Sequence, residues 1–299
     1  MTRELGSFGG RCSVSKLVRS SLRLRERTIR GPSLLGWVWG AALFAAFQAQ
    51  AAQGGTLVGW GWMSMPAVAS GTRFTAASAG NSLSVALTAD KSVVTWGDNS
   101  QGQCTPPADV KGVATAIAAG SDHVLVLKAD GTVAAWGDTI HGETQVPRGL
   151  SNVVAVAAGL DFSLALRADG TVVAWGNNAG GQTAVPNGLR GVVAIAAGGA
   201  HSLALSGDGT VVAWGSNGSG QTGVPSGLSG VVAIAAGGAH SLALQTNGMV
   251  VAWGDDTWGQ TSVPASLSGV TAVAAGGDFS LARLGGFDQR FGNLHFASG

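Results

Sequence analysis

Short apolar runs alternate with polar turns along most of the chain, and the pattern repeats about every 39 residues. The segment GVVAIAAGGAHSLAL stands at 191–205 and again, letter for letter, at 230–244. None of the repeats has the apolar spacing of three and four residues that marks an amphipathic helix. Each repeat instead offers three runs of roughly five to seven residues, such as VVAIAAG, HSLAL and TVVAWG, which are typical of short strands.

Tight turns divide each repeat into a hairpin and a further strand. Asp-Gly or Asn-Gly pairs, which tolerate the positive φ of a two-residue turn, separate the second and third runs in four copies, and another copy has Asp90-Lys91. A proline, which cannot donate to a strand ladder, follows the Trp-Gly pair that ends the third run. Three good strands and one short edge strand or turn predict the blade of a β-propeller. The tryptophans of these pairs are Trp60, Trp96, Trp136, Trp175, Trp214 and Trp253.

The two ends of the repeat region decide whether the array closes. It begins with the Trp half alone, TLVGWG at 56–61, and finishes with the complementary half, VTAVAAGGDFSLARL at 270–284. Joined, the halves make one whole blade, which removes the exposed edges that an open array would leave. We therefore predict an all-β propeller of six ~39-residue blades, closed by pairing of the N- and C-terminal half-repeats.

The first 51 residues differ from the rest of the chain. They carry eight basic residues, the last of them Arg30, then the apolar run LLGWVWGAALFAAF at 34–47 and the small residues of Ala49-Gln50-Ala51. This layout is typical of a secretory signal peptide cleaved after Ala51, with an uncleaved anchor as the alternative. We predict a signal peptide over 1–51, a propeller over 52–284, a tail over 285–299 that is a candidate for disorder, and a secreted or periplasmic location.

Composition and charge exclude several classes of function. The chain has 49 Gly, no Tyr and a formal net charge of +1, but residues 1–51 hold +6 and the remaining residues hold −5. An acidic body lacks the Lys/Arg footprint that binding to nucleic acid requires. After cleavage Cys104 is the single cysteine, so no intramolecular disulfide can form, and we interpret it as a small turn residue.

The combination of AAGGAHSLAL, DGTVVAWG and GQT-VP resembles the repeats of the RCC1 propeller superfamily over roughly residues 56–284. The repeat sequence is similar to that of a short-repeat bacterial branch, which includes a β-lactamase inhibitory propeller. The resemblance implies a disc, usually of seven blades, that grips a partner protein with one face; nucleotide exchange on a nuclear GTPase is not expected of an exported acidic protein. The inhibitory branch carries aromatic residues just before the His column. The residues here are Ser82, Asp122, Asp161, Ala200, Ala239 and Asp278, none of them aromatic.

Two columns of repeat positions are interpreted as structural. The Trp column is expected to anchor neighbouring blades. Since the His column also accepts plain hydrophobic residues, we expect packing there, with one ring nitrogen bonded to the backbone, rather than a metal site. We expect no catalytic, cofactor or metal site elsewhere, because no nucleophile with a base and no phosphate loop stands outside the repeats. The members of the His column are His123, His201 and His240, with Leu83, Phe162 and Phe279 in the other copies.

The candidate binding residues lie in two other places. Asp122, Asp161 and Asp278 are expected to share one rim and give it a negative potential. Trp258 and His141 stand in the loops after Trp-Gly, which vary most between copies, and variable loops on a constant scaffold usually carry specificity.

These observations predict an exported, non-enzymatic propeller, monomeric, that binds an unidentified protein through its loop face. Neither a nucleic acid partner nor membrane attachment after cleavage is expected. One alternative is an inhibitor of an extracellular enzyme. Another is a polysaccharide-binding module of the cell envelope, for which Trp258 would be a stacking platform.

Overall fold

The computed structural model describes residues 68–285, which form six small antiparallel sheets in chain order, here called blades 1 to 6. Blades 1 to 5 have three strands and blade 6 has two. The first strands are β1 (Phe74–Ala79), β4 (Ala114–Ala119), β7 (Val153–Ala158), β10 (Val192–Ala197), β13 (Val231–Ala236) and β16 (Val270–Ala275). The second strands are β2 (Leu83–Thr88), β5 (His123–Lys128), β8 (Phe162–Arg167), β11 (His201–Ser206), β14 (His240–Gln245) and β17 (Ser280–Leu284). The third strands are β3 (Val93–Gly97), β6 (Val133–Gly137), β9 (Val172–Gly176), β12 (Val211–Gly215) and β15 (Val250–Gly254).

The predicted all-β class and the predicted hairpins are confirmed. The Asp-Gly turns place glycine at positive φ, for example 75° at Gly131, and the irregular first turn forces Lys91 to 63°. The segments after the prolines form turns, and one of them contains a 3-10 helix at Ala108–Val110. Among residues 68–285, no helix is long and apolar enough to cross a membrane.

The first strand of each blade is less completely buried than its apolar sequence predicts. Its second residue lies at a β-bulge, where the pairing register with the second strand shifts. The bulge turns this side chain outward, so Val193 is 51% exposed, and Val154 and Val232 are exposed in the same way. A continuous apolar run such as VVAIAA is typical of a strand buried on both faces, but the side chain at this one position is exposed to solvent.

Glycine allows the blades to meet where their first strands end. The first strands of successive blades contact one another. A Cβ built on Gly159 would lie 2.7 Å from the carbonyl oxygen of Gly198 in the next blade, and one on Gly198 would lie 2.6 Å from that of Gly237. Backbone bonds cross the same junctions, as from Gly199 N to Gly238 O at 3.1 Å. The repeated AAG segment is therefore explained by close approach of neighbouring backbones.

The hydrophobic core lies between blades rather than within them. One cluster joins Leu125 and Leu127 of β5 to Val153, Val156 and Trp175 of blade 3, and similar clusters fill the other junctions. A three-stranded sheet of this size has too little apolar surface to be stable alone, so each blade depends on its neighbours.

The Trp column bonds each blade to the loop of the preceding one. Trp175 Nε1 donates to the carbonyl of Glu143 at 2.8 Å, and Trp214 Nε1 donates to that of Gln182 at 2.9 Å. Ser202 Oγ donates to the same Gln182 carbonyl at 2.9 Å. Trp136 and Trp253 make the equivalent bonds and are buried, Trp96 is half-buried, and Trp60 lies outside the described residues.

Blade 6 has an incomplete junction within the described part of the chain. The carbonyl of Gln260 accepts from Ser280 Oγ at 2.7 Å, and no indole donates to it there. Leu281 is 37% exposed, whereas the equivalent Leu242 of blade 5 is buried. The predicted closing segment 56–61, which lies outside the described residues, carries the strand pattern and the tryptophan that this edge lacks.

We predict that segment 56–61 pairs with β17 in the register of β15 on β14, which sets Val58 opposite Ala282. In a Cys12→Ser, Cys104→Thr background, Val58→Cys with Ala282→Cys should form an intramolecular disulfide on mild oxidation. Leu57→Cys with Ala282→Cys is the matched control, because a shift of one residue points the thiol to the other face of the sheet. Equal cross-linking of both pairs, or cross-linking only between molecules, would contradict this closure.

Candidate functional site

The two ends of the blades differ in charge. At one end the first strand turns into the second and the loop after Trp-Gly begins; this end is called the acidic face. Among residues 68–285 it carries eight acidic residues and no Lys or Arg. They are Asp98, Asp122, Asp138, Glu143, Asp161, Asp255, Asp256 and Asp278.

The opposite face, where the Asp-Gly hairpins turn, carries all the Lys and Arg residues of the described chain together with five Asp. The basic residues are Arg73, Lys91, Lys111, Lys128, Arg148, Arg167, Arg190 and Arg283. Because the charged residues of the acidic face are acidic, that face has a negative electrostatic potential that the net charge of the chain does not reveal.

The three aspartates predicted at one rim do lie on the acidic face, but in different settings. Asp122 is half-buried and links blades 1 and 2, because its Oδ1 accepts from Ser82 Oγ at 2.7 Å. Asp161 Oδ2 lies 4.0 Å from Nδ1 of His141, so two residues singled out for separate reasons come together. Asp278 is exposed. Asp278 is therefore the most accessible carboxylate of this column, whereas Asp161, like Asp122, is only partly exposed.

The loops after Trp-Gly share one internal bond. The seventh residue after each Trp is glutamine in four copies, and its Oε1 accepts the backbone N–H two residues earlier, as from Trp258 N to Gln260 at 2.8 Å. Glu143 replaces glutamine in blade 2 and accepts from His141 N at 2.9 Å. This bond holds the loop tips in one conformation while leaving their side chains free to vary.

Large apolar side chains project from the tips of two loops. Trp258 is 75% exposed and Ile140, next to His141, is 73% exposed. Leu160, which precedes Asp161, is also exposed. Sequence reasoning singled out Trp258 and His141 but missed Ile140 and Leu160, although each stands where the other copies have a small or polar residue.

The His column crosses the junctions between blades. His201 Nε2 lies 3.0 Å from Ser241 Oγ of the next blade, and His123 and His240 contact Ser163 and Ser280 in the same way. The expected backbone partner of the ring nitrogen is therefore wrong: the partner is a serine hydroxyl. The reason is geometric, since the ring packs over the glycine of its own blade and reaches towards the neighbouring blade.

The hydrogen-bond pattern fixes the imidazole tautomer. Ser241 Oγ donates its one hydrogen to the carbonyl of Gln221 at 2.8 Å, so His201 Nε2 must donate to Ser241. Nδ1 of each column histidine is buried without a partner, and a second proton there would have no acceptor. Burial lowers the pKa of His123 and His201 to about 4 and also lowers the pKa of His240.

Other candidate chemistry is limited within residues 68–285. No group of three or more His, Cys, Asp or Glu side chains is arranged to hold a metal ion. Burial, and then the charge of Asp98, raises the pKa of the Cys104 thiol, which disfavours the reactive thiolate.

The repeat sequence identifies the family. The profile described as "Regulator of chromosome condensation (RCC1) repeat" matches residues 67–103, 114–143, 153–182, 192–221 and 231–260, more than half of the chain. The chain belongs to the RCC1 repeat family. No curated protein sequence matches it significantly.

Solved RCC1-like propellers share the fold. Yeast RCC1 (Prp20), solved with Kap60, has a TM-score of 0.59 at 23% identity, covering 71% of this chain and 66% of its own. Human WBSCR16 has a TM-score of 0.58 at 23% identity, covering 72% and 73%. The ectodomain of the receptor kinase CR4 from Physcomitrella patens has a TM-score of 0.56 at 25% identity, covering 69% and 57%. The chain thus spans about two thirds of the yeast protein's length.

The His column makes the stability of this RCC1-family chain pH-dependent. Because the folded pKa lies below the unfolded value of 6.5, the unfolded state binds more protons between pH 6.5 and about 4, and the free energy of unfolding falls as the pH falls through this window. The loss is up to about 3 kcal/mol for each fully buried imidazole. Urea unfolding of the wild type and of His201→Phe, which copies Phe162, measures it.

The difference between the two unfolding free energies should be constant above pH 6.5 and change in favour of His201→Phe below it. Phe162 already packs over Gly159 in blade 3, so the variant keeps a side chain that this column accepts. A difference between the two unfolding free energies that stays constant from pH 7 to pH 4 would contradict the prediction.

Proposed function

We propose that this chain is exported, is not an enzyme, and binds as a monomer, through its acidic face, a protein whose contact surface is positively charged. The single observation that carries the proposal is the uneven distribution of charge: among the described residues, one face has eight acidic residues and no Lys or Arg, whereas all eight Lys and Arg lie on the opposite face together with five Asp. Such a surface attracts a cationic partner and repels nucleic acid and other anions.

Exposed apolar side chains on the same face support protein binding. Interfaces combine a few large apolar anchors with a polar rim, and Trp is enriched among the residues that contribute most. Trp258, Ile140 and Leu160 are exposed among the carboxylates of the acidic face. Yeast RCC1, which shares the fold, was solved with the protein Kap60, so this type of propeller can bind protein. An inhibitor of an extracellular enzyme would be one form of this function.

Trp258 also favours a second candidate, binding of a polysaccharide. Its ring is 75% exposed, and the neighbouring Asp255 and Asp256 offer carboxylates to sugar hydroxyls. Aromatic faces pack on apolar sugar surfaces, and carboxylates accept hydrogen bonds from hydroxyls. This candidate depends on a single loop, whereas the charge separation extends over the whole face.

Export is part of the proposal and is supported by the layout of residues 1–51, with a basic region, an apolar run of about 14 residues and a small-residue cleavage site. N-terminal sequencing of the protein from the culture supernatant or periplasm should begin at Ala52. Recovery of protein that keeps Met1 and stays in the cytoplasm would show that the prediction of a signal peptide is incorrect.

Matched charge variants test the binding face. Asp161→Ala with Asp278→Ala copies the residues Ala200 and Ala239 of sister blades, and Asp169→Asn with Asp208→Asn copies Asn247 on the opposite face. Both pairs remove two charges. The partner is isolated by affinity capture from the supernatant, and its Kd is then measured with each variant. The Kd should rise at least tenfold for the first pair only, and this rise should be smaller at high salt.

The same capture separates the candidates. Trp258→Ala should weaken a protein partner moderately but abolish retention on cell-wall glycan if the polysaccharide candidate is correct. Equal weakening by both charge pairs, or none by either, is the outcome that overturns the acidic face as the binding surface.

A further inference from the structure

The opposite face carries exposed apolar side chains that the proposed function does not use. Val154, Val193 and Val232 stand at the β-bulges of three neighbouring blades and are exposed. Met249, at the hairpin turn of blade 5, and Leu284, at the end of β17, are each 54% exposed. These five residues, here called the apolar arc, lie at the same end of the consecutive blades 3 to 6.

Each residue of the apolar arc stands where sister blades have polar residues. The valine position is threonine in the other three blades, and the position of Met249 is serine or threonine in the other hairpins. The position of Leu284 is polar or charged in the sister blades. Single exposed apolar residues are ordinary on a protein surface, but five of them at one end of adjoining blades indicate a surface that another segment covers. The sister residues are Thr75, Thr115 and Thr271 for the valines, Ser92, Thr132, Thr171 and Thr210 for Met249, and Thr88, Lys128, Arg167, Ser206 and Gln245 for Leu284.

The described part of the chain ends beside this arc. Gly285 N donates to the carbonyl of Gly269 at 2.9 Å. A Cβ built on Gly285 would lie 2.6 Å from Cγ2 of Thr271, which occupies the valine position of blade 6. Residues 286–299, which lie outside the described residues, therefore continue from the opposite face, next to the arc.

The sequence of this segment does not fit the third strand of blade 6. Four sister blades turn through Asp-Gly or Asn-Gly at this point, whereas blade 6 has Gly286-Phe287. The Trp-Gly pair that ends each third strand does not follow, and the predicted closing segment 56–61 has it instead. The segment 286–299 is therefore available for another contact.

The segment matches the apolar arc in composition and in reach. The sequence FDQRFGNLHF at 287–296 holds three phenylalanines and a leucine. Aromatic side chains bury a large apolar area for each residue that is ordered. Ten extended residues span up to ~33 Å, and facing sheets pack ~10 Å apart, so the steps from blade 6 to blade 3 require roughly 30 Å.

We propose that residues 287–296 fold back over the apolar arc and shield it from water. The contact lies within one molecule, because the segment starts beside the arc and its effective concentration there exceeds that of a second copy. This inference concerns the face opposite to the acidic one and does not rest on the proposed function. With the arc covered, a partner meets apolar side chains on the acidic face rather than on the opposite one.

Trypsin cleavage after Arg290 measures this contact in the full chain. Trypsin cuts only a segment that has left the surface, so the rate at which peptide 291–299 is released follows the population of the uncovered state. Val154→Thr combined with Val193→Thr and Val232→Thr installs the residue of the sister blades, so this triple variant is expected to fold. Release should be about tenfold faster from the triple variant than from the wild type, because the surface that holds the segment has become polar.

Ile140→Thr is the matched control, since it copies Thr257 and removes an exposed apolar side chain from the acidic face. It should leave the release of peptide 291–299 unchanged. In every variant the release is normalised to cleavage after the exposed Lys111, which corrects for changes in the stability of the whole fold. Equal normalised release from the wild type and the triple variant overturns the proposal.

A photo-cross-link identifies the contact without altering the arc. With p-benzoylphenylalanine incorporated at position 291, cross-links should form within one molecule, to peptides that contain Val193, Val232 or Met249. Cross-links only between molecules would show that a second copy covers the arc. An absence of cross-links to the arc would show that the segment lies elsewhere, and either result overturns the proposal.

Discussion

One main-chain carbonyl at each blade junction is the feature on which the rest of the structure depends. Among the five junctions between the described blades, the carbonyl of the seventh residue after Trp accepts an indole N–H from the next blade in four and a serine hydroxyl in four. The serine is in turn bonded by the histidine of the preceding blade where the column has one. A sheet of three short strands cannot bury enough apolar surface alone, so these bonds and the apolar clusters around them determine the angle at which blades meet. Both the order of the blades and the placement of the loops follow from this junction.

Much of this architecture could be predicted from the sequence because it depends on residue types that are compatible with only a few backbone conformations. Asp-Gly pairs determine hairpins, Trp-Gly ends a strand, and proline excludes a ladder, and each acts within a few residues. What could not be predicted are partners that lie 40 residues apart and belong to different blades. The local sequence pattern does not show which serine bonds each column histidine. Nor does it show the close approach of neighbouring blade backbones that requires Gly159 and Gly198. The exposed Ile140 and Leu160 were missed because exposure depends on loop conformation rather than on hydrophobicity.

The separation of charge is a consequence of repetition. A repeat position keeps its place relative to the axis in every blade, so a preference at one position becomes a preference of a whole face. Aspartate at the second residue after Trp and at the position before the His column therefore accumulates on the acidic face, whereas Lys and Arg lie near the starts of first strands and at the hairpin ends, on the opposite face. The potential of such a surface is the sum of contributions from several blades, so it does not depend on any single carboxylate.

Departures from the repeat differ in meaning according to the position at which they occur. At a loop tip such as Trp258 the side chain contacts solvent, and many residues are compatible with the fold. At the buried position of Glu143 the side chain stands in place of the glutamine of the sister loops and still accepts a hydrogen bond from His141 N, so it keeps the bond that these loops share. Burial raises the pKa of this carboxyl, because the charged form loses its hydration there. A substitution at a buried position of the loop is therefore limited by hydrogen bonding and charge, whereas one at an exposed tip changes the surface with little effect on the fold.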